Sequence, residues 1–355
     1  MRPLRQFVFG IASIILILAG LSLFLKEGRF GTSNSALVIY NWGDYIDPSL
    51  LKKFTKETGI PVDYETFDSN EAMYTKIKQG SSHYDIAIPS DYMVSKMAQE
   101  GLLEKLDDHR LKGSDKIDSH FNDLPYDRTN DYSVPYFWGT LGIVYNDIMI
   151  KDPPRTWQEI FSPQYKDSIL LVDGAREGMG ISLQSLGYSS NSKDLNELAK
   201  AVTHLKELAP NIKAIVSDEI KGYMIQGEAP LAVSYSGEAQ EMAARNPHLH
   251  YIVPKGTTNL WVDSMVIPKG AEHMDAAYRF INFMLEPKNA AQNAHYIGYA
   301  TPNKEAQALL EPSVREDTTC YPLPKEFDRM EMYEDLGPEY LSLYNEYYLQ
   351  FKMTY

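Results

Sequence analysis

The chain has 355 residues, 44% of them hydrophobic and 23% charged, which is the balance of a globular protein and enough length for two cores. Its formal charge is −14; residues 1–33 carry a net +3 (Arg2, Arg5, Lys26 and Arg29 against Glu27), so the remainder carries −17. So acidic a body argues against nucleic acid, which rewards basic grooves, and favours the approach of cationic ligands.

The N-terminus reads MRPLRQFVFGIASIILILAGLSLFLKEG, with nineteen uncharged residues from Phe7 to Leu25. That run is long enough for a membrane helix and long for the apolar part of a signal peptide. Arg2 and Arg5 stay in the cytoplasm on either reading, so the body is extracytoplasmic: periplasmic, or on the outer face of the cytoplasmic membrane if the helix is retained. Residues 1–34 are thus a signal peptide, cut near Ala19-Gly20-Leu21-Ser22, or a membrane anchor; length alone does not choose. No cysteine near the end of the run offers a lipid attachment point. Cys320 is the single cysteine, so no internal disulfide can form, and TTCYP supplies no partner for a catalytic thiol.

From Ser35 short apolar runs alternate with helical patterns. ALVIYNW predicts a buried strand, and PSLLKKFTKETG a helix opened near Pro48 and stopped by Gly59. VDYETF and NEAMYTKIKQG repeat the pair, as do YDIAIP and DYMVSKMAQEG. This alternation implies a parallel sheet covered by helices, whose ligands lie beyond the C-terminal strand ends. A second unit opens near Trp138–Asn146. RTWQEIFSPQYK carries a capping box, Thr156 with Glu159, and SILLVDG predicts a strand. Leu195, Leu198, Val202 and Leu205 mark a helix face between Ser192 and Leu208. APLAVSYSG is a strand followed by a helix through EAQEMAARN; after NLWVDSMVIPKG comes a helix ended by Pro287. A tyrosine-rich helix, EYLSLYNEYYLQFKM, closes the chain. With no repeat and no low-complexity linker, crossing strands are expected to join the two units.

The fingerprints of phosphate loops, zincins and hydrolase elbows are absent. Gly174, Gly178 and Gly180 do not match a dinucleotide motif and read as glycines for backbone turns. His248-Leu249-His250 is the one close histidine pair, beside Asn246-Pro247, and reads as a turn lacking the further ligands a metal needs. Neither a metal nor a cofactor is expected. What recurs instead is an aromatic ring beside an acid or hydroxyl at a predicted strand end. Trp42, Asp44 and Tyr45 form one such group, and Ser90, Asp91 and Tyr92 a second. Asp173 with Glu177, Tyr235 in VSYSGE, and Trp261 with Asp263 complete the set. Singly, each reads as a core ring or a turn residue; together at one edge they suit a cation carrying methylene groups. Carboxylates pair with the nitrogens of a linear polyamine, since an unpaired buried charge costs several kcal/mol. Rings cover the methylenes, each worth ~0.8 kcal/mol, and attract a neighbouring ammonium by ~0.5–2 kcal/mol. A metal site would use oxygens in place of rings, and an amino-acid site an arginine.

At these residues the chain closely resembles the spermidine/putrescine-binding protein of bacterial polyamine ABC importers. The resemblance runs from about Ala36 to the C-terminus. It is carried by YNWGDYIDPSLLKKFTKETGI, ETFDSNEAMYTKI, YDIAIPSDYMV, YSVPYFWGTLGI, the DGARE segment, LWVDSMVIP and IGYATPN. It implies an α/β type II periplasmic-binding-protein fold, two lobes joined by crossing strands around a ligand cleft, with lobe 1 from 35–139 and 265–305 and lobe 2 from 140–264 and 306–355. Trp42, Tyr45, Ser90, Tyr92, Tyr235, Trp261 and Tyr299 are then expected to line the cleft. Asp44, Glu177 and Asp263 are its acids, with Asp263 facing the secondary amine and Glu177 a terminal one. Where the family carries a second acid this chain has Gly174, leaving Asp173 as the substitute; a family Trp is Tyr235 here, and a family Gln is Tyr333. These changes bear on the ranking of spermidine over putrescine. The expected protein is a monomeric receptor, not an enzyme, that delivers spermidine or putrescine to an ABC permease with a separate ATPase. The alternatives are a receptor for another organic cation, or a polyamine sensor.

Overall fold

Leu37–Trp42 (β1) begins the part of the chain described by the computed structural model, which covers residues 36–355 except Ser81. The expected signal peptide or anchor at 1–34 lies outside the described residues. Among those residues, no helix is long and apolar enough to cross a membrane. The further strands are β2 (Val62–Phe67), β3 (Ile86–Ala87), β4 (Ser133–Asn146), β5 (Ile169–Val172), β6 (Ile212–Val216), β7 (Leu231–Tyr235), β8 (Leu249–Ile252), β9 (Thr258–Val266) and β10 (Met330–Glu331). They are ordered β2-β1-β3-β9-β4-β7-β5-β6, with β8 on β4 and β10 on β9.

The two ends of this order are parallel, β1 with β2 and β3, and β5 with β6 and β7. The middle is antiparallel. β4 pairs with β9 from Ser133↔Val266 to Thr140↔Leu260, then with β7 from Leu141↔Tyr235 to Tyr145↔Leu231. One fourteen-residue strand therefore serves both parallel units, and β9 runs back beside it. These are the expected crossing strands.

The helices close the lobes for local reasons. Pro48–Thr58 starts where Asp47 accepts the Ser49 N–H at 2.8 Å and ends at Gly59, whose φ of 73° suits a residue without Cβ. Its Leu50 and Phe54 are fully buried, about 1.5–3 kcal/mol each. Asn70–Gln79 ends likewise on Gly80, and Asp91–Gln99 follows β3. β3 is shorter than YDIAIP predicts, because Pro89 has no N–H to extend the ladder. The Thr156 hydroxyl does accept the Glu159 N–H, at 3.2 Å, but caps only the short 3₁₀ turn Gln158–Phe161; Pro163 opens a second one. Pro287 ends the helix Met274–Leu285 and also starts another, Pro287–Ile297, because proline is at ease in a first turn. Gly178 and Gly180 lie inside the helix Ala175–Ser185 and not in turns. A Cβ on Gly178 would come 2.5 Å from the Tyr348 ring, so this glycine admits the terminal helix Gly337–Lys352.

Three clusters form the interior. The first joins Leu37, Ile39, Phe54, Ile86, Phe280 and Ile281. In the second lobe successive residues alternate across the sheet: Ile143, Leu171 and Val233 face one cluster, Val144, Leu170 and Ala232 the other. Leu260, Trp261 and Val262 pack in the first core, as do Ala306, Leu310, Cys320 and Tyr321, although all seven fall in the ranges expected for lobe 2.

Candidate ligand cleft

β9 places Trp261 and Asp263 two residues apart, hence on one face of the strand, and every residue of β9 is buried. Asp263 Oδ2 accepts the Tyr45 hydroxyl at 2.7 Å. Asp263 Oδ1 is buried and has no hydrogen-bond partner among the described residues. Burial raises this carboxyl from its ordinary 3.8 to about 6, while the nearby Ser90 and Tyr45 pull the other way. Tyr45 reaches Asp263 because the chain turns sharply after β1. Asp44 takes φ 48°, a left-handed conformation that Asp tolerates, and its own side chain is exposed.

Rings continue from there. Tyr299 meets Tyr45 edge-on at 5.6 Å and Trp261 at 5.0 Å; Tyr235 meets Trp261 at 6.2 Å. The Tyr235 hydroxyl donates to Glu177 Oε1 at 2.9 Å. Tyr299 belongs to the first lobe, yet it lies directly on Gly237 of the second, where a Cβ would run into its ring. Gln240 Nε2 donates to Asp317 Oδ2 at 3.1 Å close by. These interactions hold the lobes together. Burial pushes the phenols of Tyr45, Tyr92, Tyr235, Tyr299 and Tyr333 well above their ordinary value, so each remains a neutral hydroxyl.

Toward the other end a cavity of about 330 Å³ is bounded by Glu71, Tyr92, Arg176, Glu177 and Tyr333. That is a volume for a small ligand. Burial raises the Glu177 carboxyl, opposed by its own backbone N–H and by Tyr235. The Arg176 guanidinium lies 4.4 Å from the Tyr333 ring centre and donates to the Glu334 carbonyl and to Asn191 Oδ1. Ser90 bridges to Asp263 in the backbone and exchanges hydrogen bonds with Asn70 at 3.1 Å. Asp91 is buried, accepts from Tyr92 N and Val262 N, and is pushed by burial to about 8. Trp42 packs on Phe67 at 4.6 Å, at the end of β1.

Of the residues that the sequence points to, Tyr45, Tyr235, Trp261, Asp263, Tyr299 and Glu177 form one connected wall, and Tyr92 and Tyr333 line the adjoining cavity. Two acids stand apart. Asp44 is exposed beyond the turn, and Asp173 is exposed and paired to Lys352 Nζ at 2.8 Å. The terminal helix thus claims Asp173, the expected substitute acid. His248 and His250 each bond one oxygen of Asp147, at 3.0 Å, and no metal-holding group occurs among the described residues. Glu71 and Arg176 carry no mark in the sequence. Glu71 stands in the first turn of its helix, where an acid is ordinary, and only the 3.1 Å bond from the Tyr92 hydroxyl distinguishes it.

Two α/β lobes joined by shared strands, with rings and acids at their junction, define a solute-binding receptor. The chain belongs to the bacterial extracellular solute-binding protein family, whose model matches residues 49–321. It is 38% identical over 340 residues to the spermidine/putrescine-binding periplasmic protein of Salmonella typhimurium, covering 95% of this chain and 97% of that one. It is 29% identical over 326 residues to a putrescine-binding periplasmic protein of Escherichia coli, covering 86% and 88%. A crystal structure of the spermidine/putrescine ABC transporter substrate-binding protein of Streptococcus pneumoniae superposes with a TM-score of 0.84 at 54% identity, over 90% of this chain and 99% of that one. The fold is therefore the two-lobed one of periplasmic binding proteins, and the protein acts outside the cytoplasm.

Proposed function

We propose that this protein captures spermidine or putrescine and delivers it to an ABC permease driven by a separate ATPase, acting as a monomer without covalent chemistry. One observation carries the reading: Asp263 Oδ1, buried and without a hydrogen-bond partner among the described residues, on the strand face it shares with Trp261. A buried carboxylate oxygen in that state costs free energy, and an ammonium with apolar neighbours relieves it. Asp263 takes an inner amine, Glu177 a terminal one, and the rings of Tyr45, Tyr235, Trp261 and Tyr299 cover the methylenes. The names of the relatives agree with this ligand class. A ligand held by both lobes shifts an open–closed equilibrium, since one touching a single lobe does not discriminate the two states. Calorimetric titration with spermidine and putrescine tests the reading. Micromolar or tighter binding of at least one, competed weakly by other organic cations, is expected; failure of both to bind defeats it.

A further inference from the structure

Resting on the polyamine reading, we infer that Glu71 supplies the net negative charge that holds the ligand's terminal ammonium at this end of the cleft. The charge count decides the point. The cavity beyond Tyr235 is lined by three charged side chains, Glu71, Arg176 and Glu177. Arg176 and Glu177 are neighbours on one helix; burial raises the Glu177 carboxyl, and the guanidinium only partly opposes this. At most the two cancel. Without Glu71 an arriving ammonium meets a neutral end; with it the lining carries a single negative charge, the complement of one ammonium.

Glu177 cannot do this work alone for a second reason. Its Oε2 occupies the space a Cβ on Gly174 would take, folded back over the start of its own helix. Its Oε1 accepts the Tyr235 hydroxyl. Glu71 is held more lightly, by the Tyr92 hydroxyl on Oε1 at 3.1 Å, and its residue is exposed at the cleft. It also comes from the opposite lobe, on the helix Asn70–Gln79 that packs with the first core, whereas Arg176 and Glu177 lie on the helix Ala175–Ser185 that packs with the second. An ammonium between Glu71 and Glu177 therefore bridges the lobes.

The test is Glu71→Gln, titrated calorimetrically with spermidine and with putrescine against the wild type, with thermal unfolding as a folding control. The glutamine retains the helix start, so the melting temperature should hold. Spermidine affinity should fall roughly tenfold or more, and Glu71→Asp should recover part of the loss. Unchanged spermidine affinity overturns the assignment and leaves the polyamine reading standing. Wild-type protein that binds neither amine removes that reading itself, before any variant is made.

Discussion

Replacing Asp263 by Asn should make the ligand-free protein more stable at neutral pH while destroying its affinity for polyamines. The magnitude follows from the carboxyl's environment. It titrates at about 6 in the fold and ordinarily at 3.8. Below 3.8 it is protonated whether the chain is folded or not, and contributes nothing. Between the two values the unfolded chain sheds its proton first, so stability falls as pH rises. Above 6 the full cost stands, about 3 kcal/mol. Asparagine keeps the shape and still accepts from Tyr45, without the charge. At pH 7, thermal unfolding without polyamine should therefore place Asp263→Asn roughly 5 °C above the wild type, with the gap closing by about pH 4. With saturating spermidine the order should invert, because only the wild type gains from the ligand. The same group makes affinity pH-dependent. Spermidine binding should weaken as pH drops below about 6, with a proton released on binding near about pH 5.5, read from titrations in buffers of different ionisation enthalpy. A variant no more stable than the wild type at pH 7, with spermidine affinity intact, would refute the reasoning.

Trp261→Ala removes the ring between Tyr235 and Tyr299, and spermidine affinity measured by calorimetry should fall about tenfold or more, because the cation–π attraction and the apolar cover over the methylenes disappear together. Gly237→Ala should hold the lobes apart: alanine is a better helix former by about 1 kcal/mol, so the second lobe keeps its stability, but its Cβ displaces Tyr299. Spermidine binding roughly tenfold weaker with an unchanged melting temperature is expected; wild-type affinity would show that the ring yields freely. Asp173→Asn should leave affinity within about twofold, since that carboxylate serves Lys352; a large loss would return it to the ligand.

Much of this architecture is legible in residue order because the helix signals are local. Pro48 and Gly59 bracket one helix in the residue order itself, and Gly80 stops the next. The rings and acids at strand ends are legible for a similar reason, since parallel strands deliver their C-terminal ends to one edge. What escapes notice depends on distant partners. Asp173 resembles a cleft acid until Lys352, 179 residues further on, is brought beside it. Glu71 is hidden by its suitability for a helix start, and Arg176 by the expectation that a cation-binding site carries no cation. Pro287 misleads because a proline that forbids one helix welcomes the next. Gly178 looks like a turn glycine, and only the Tyr348 ring lying against it explains why a side chain is missing there.

The pairing of β4 with β9 and then β7 has a mechanical consequence. A tether of loose chain would let the halves drift, whereas this ladder must twist as a ribbon, storing elastic energy in proportion to the square of the angle turned. The irregular register between Pro135 and Phe137 is where such a ribbon bends most readily. A ribbon of this kind can change the angle between the lobes while every strand stays paired.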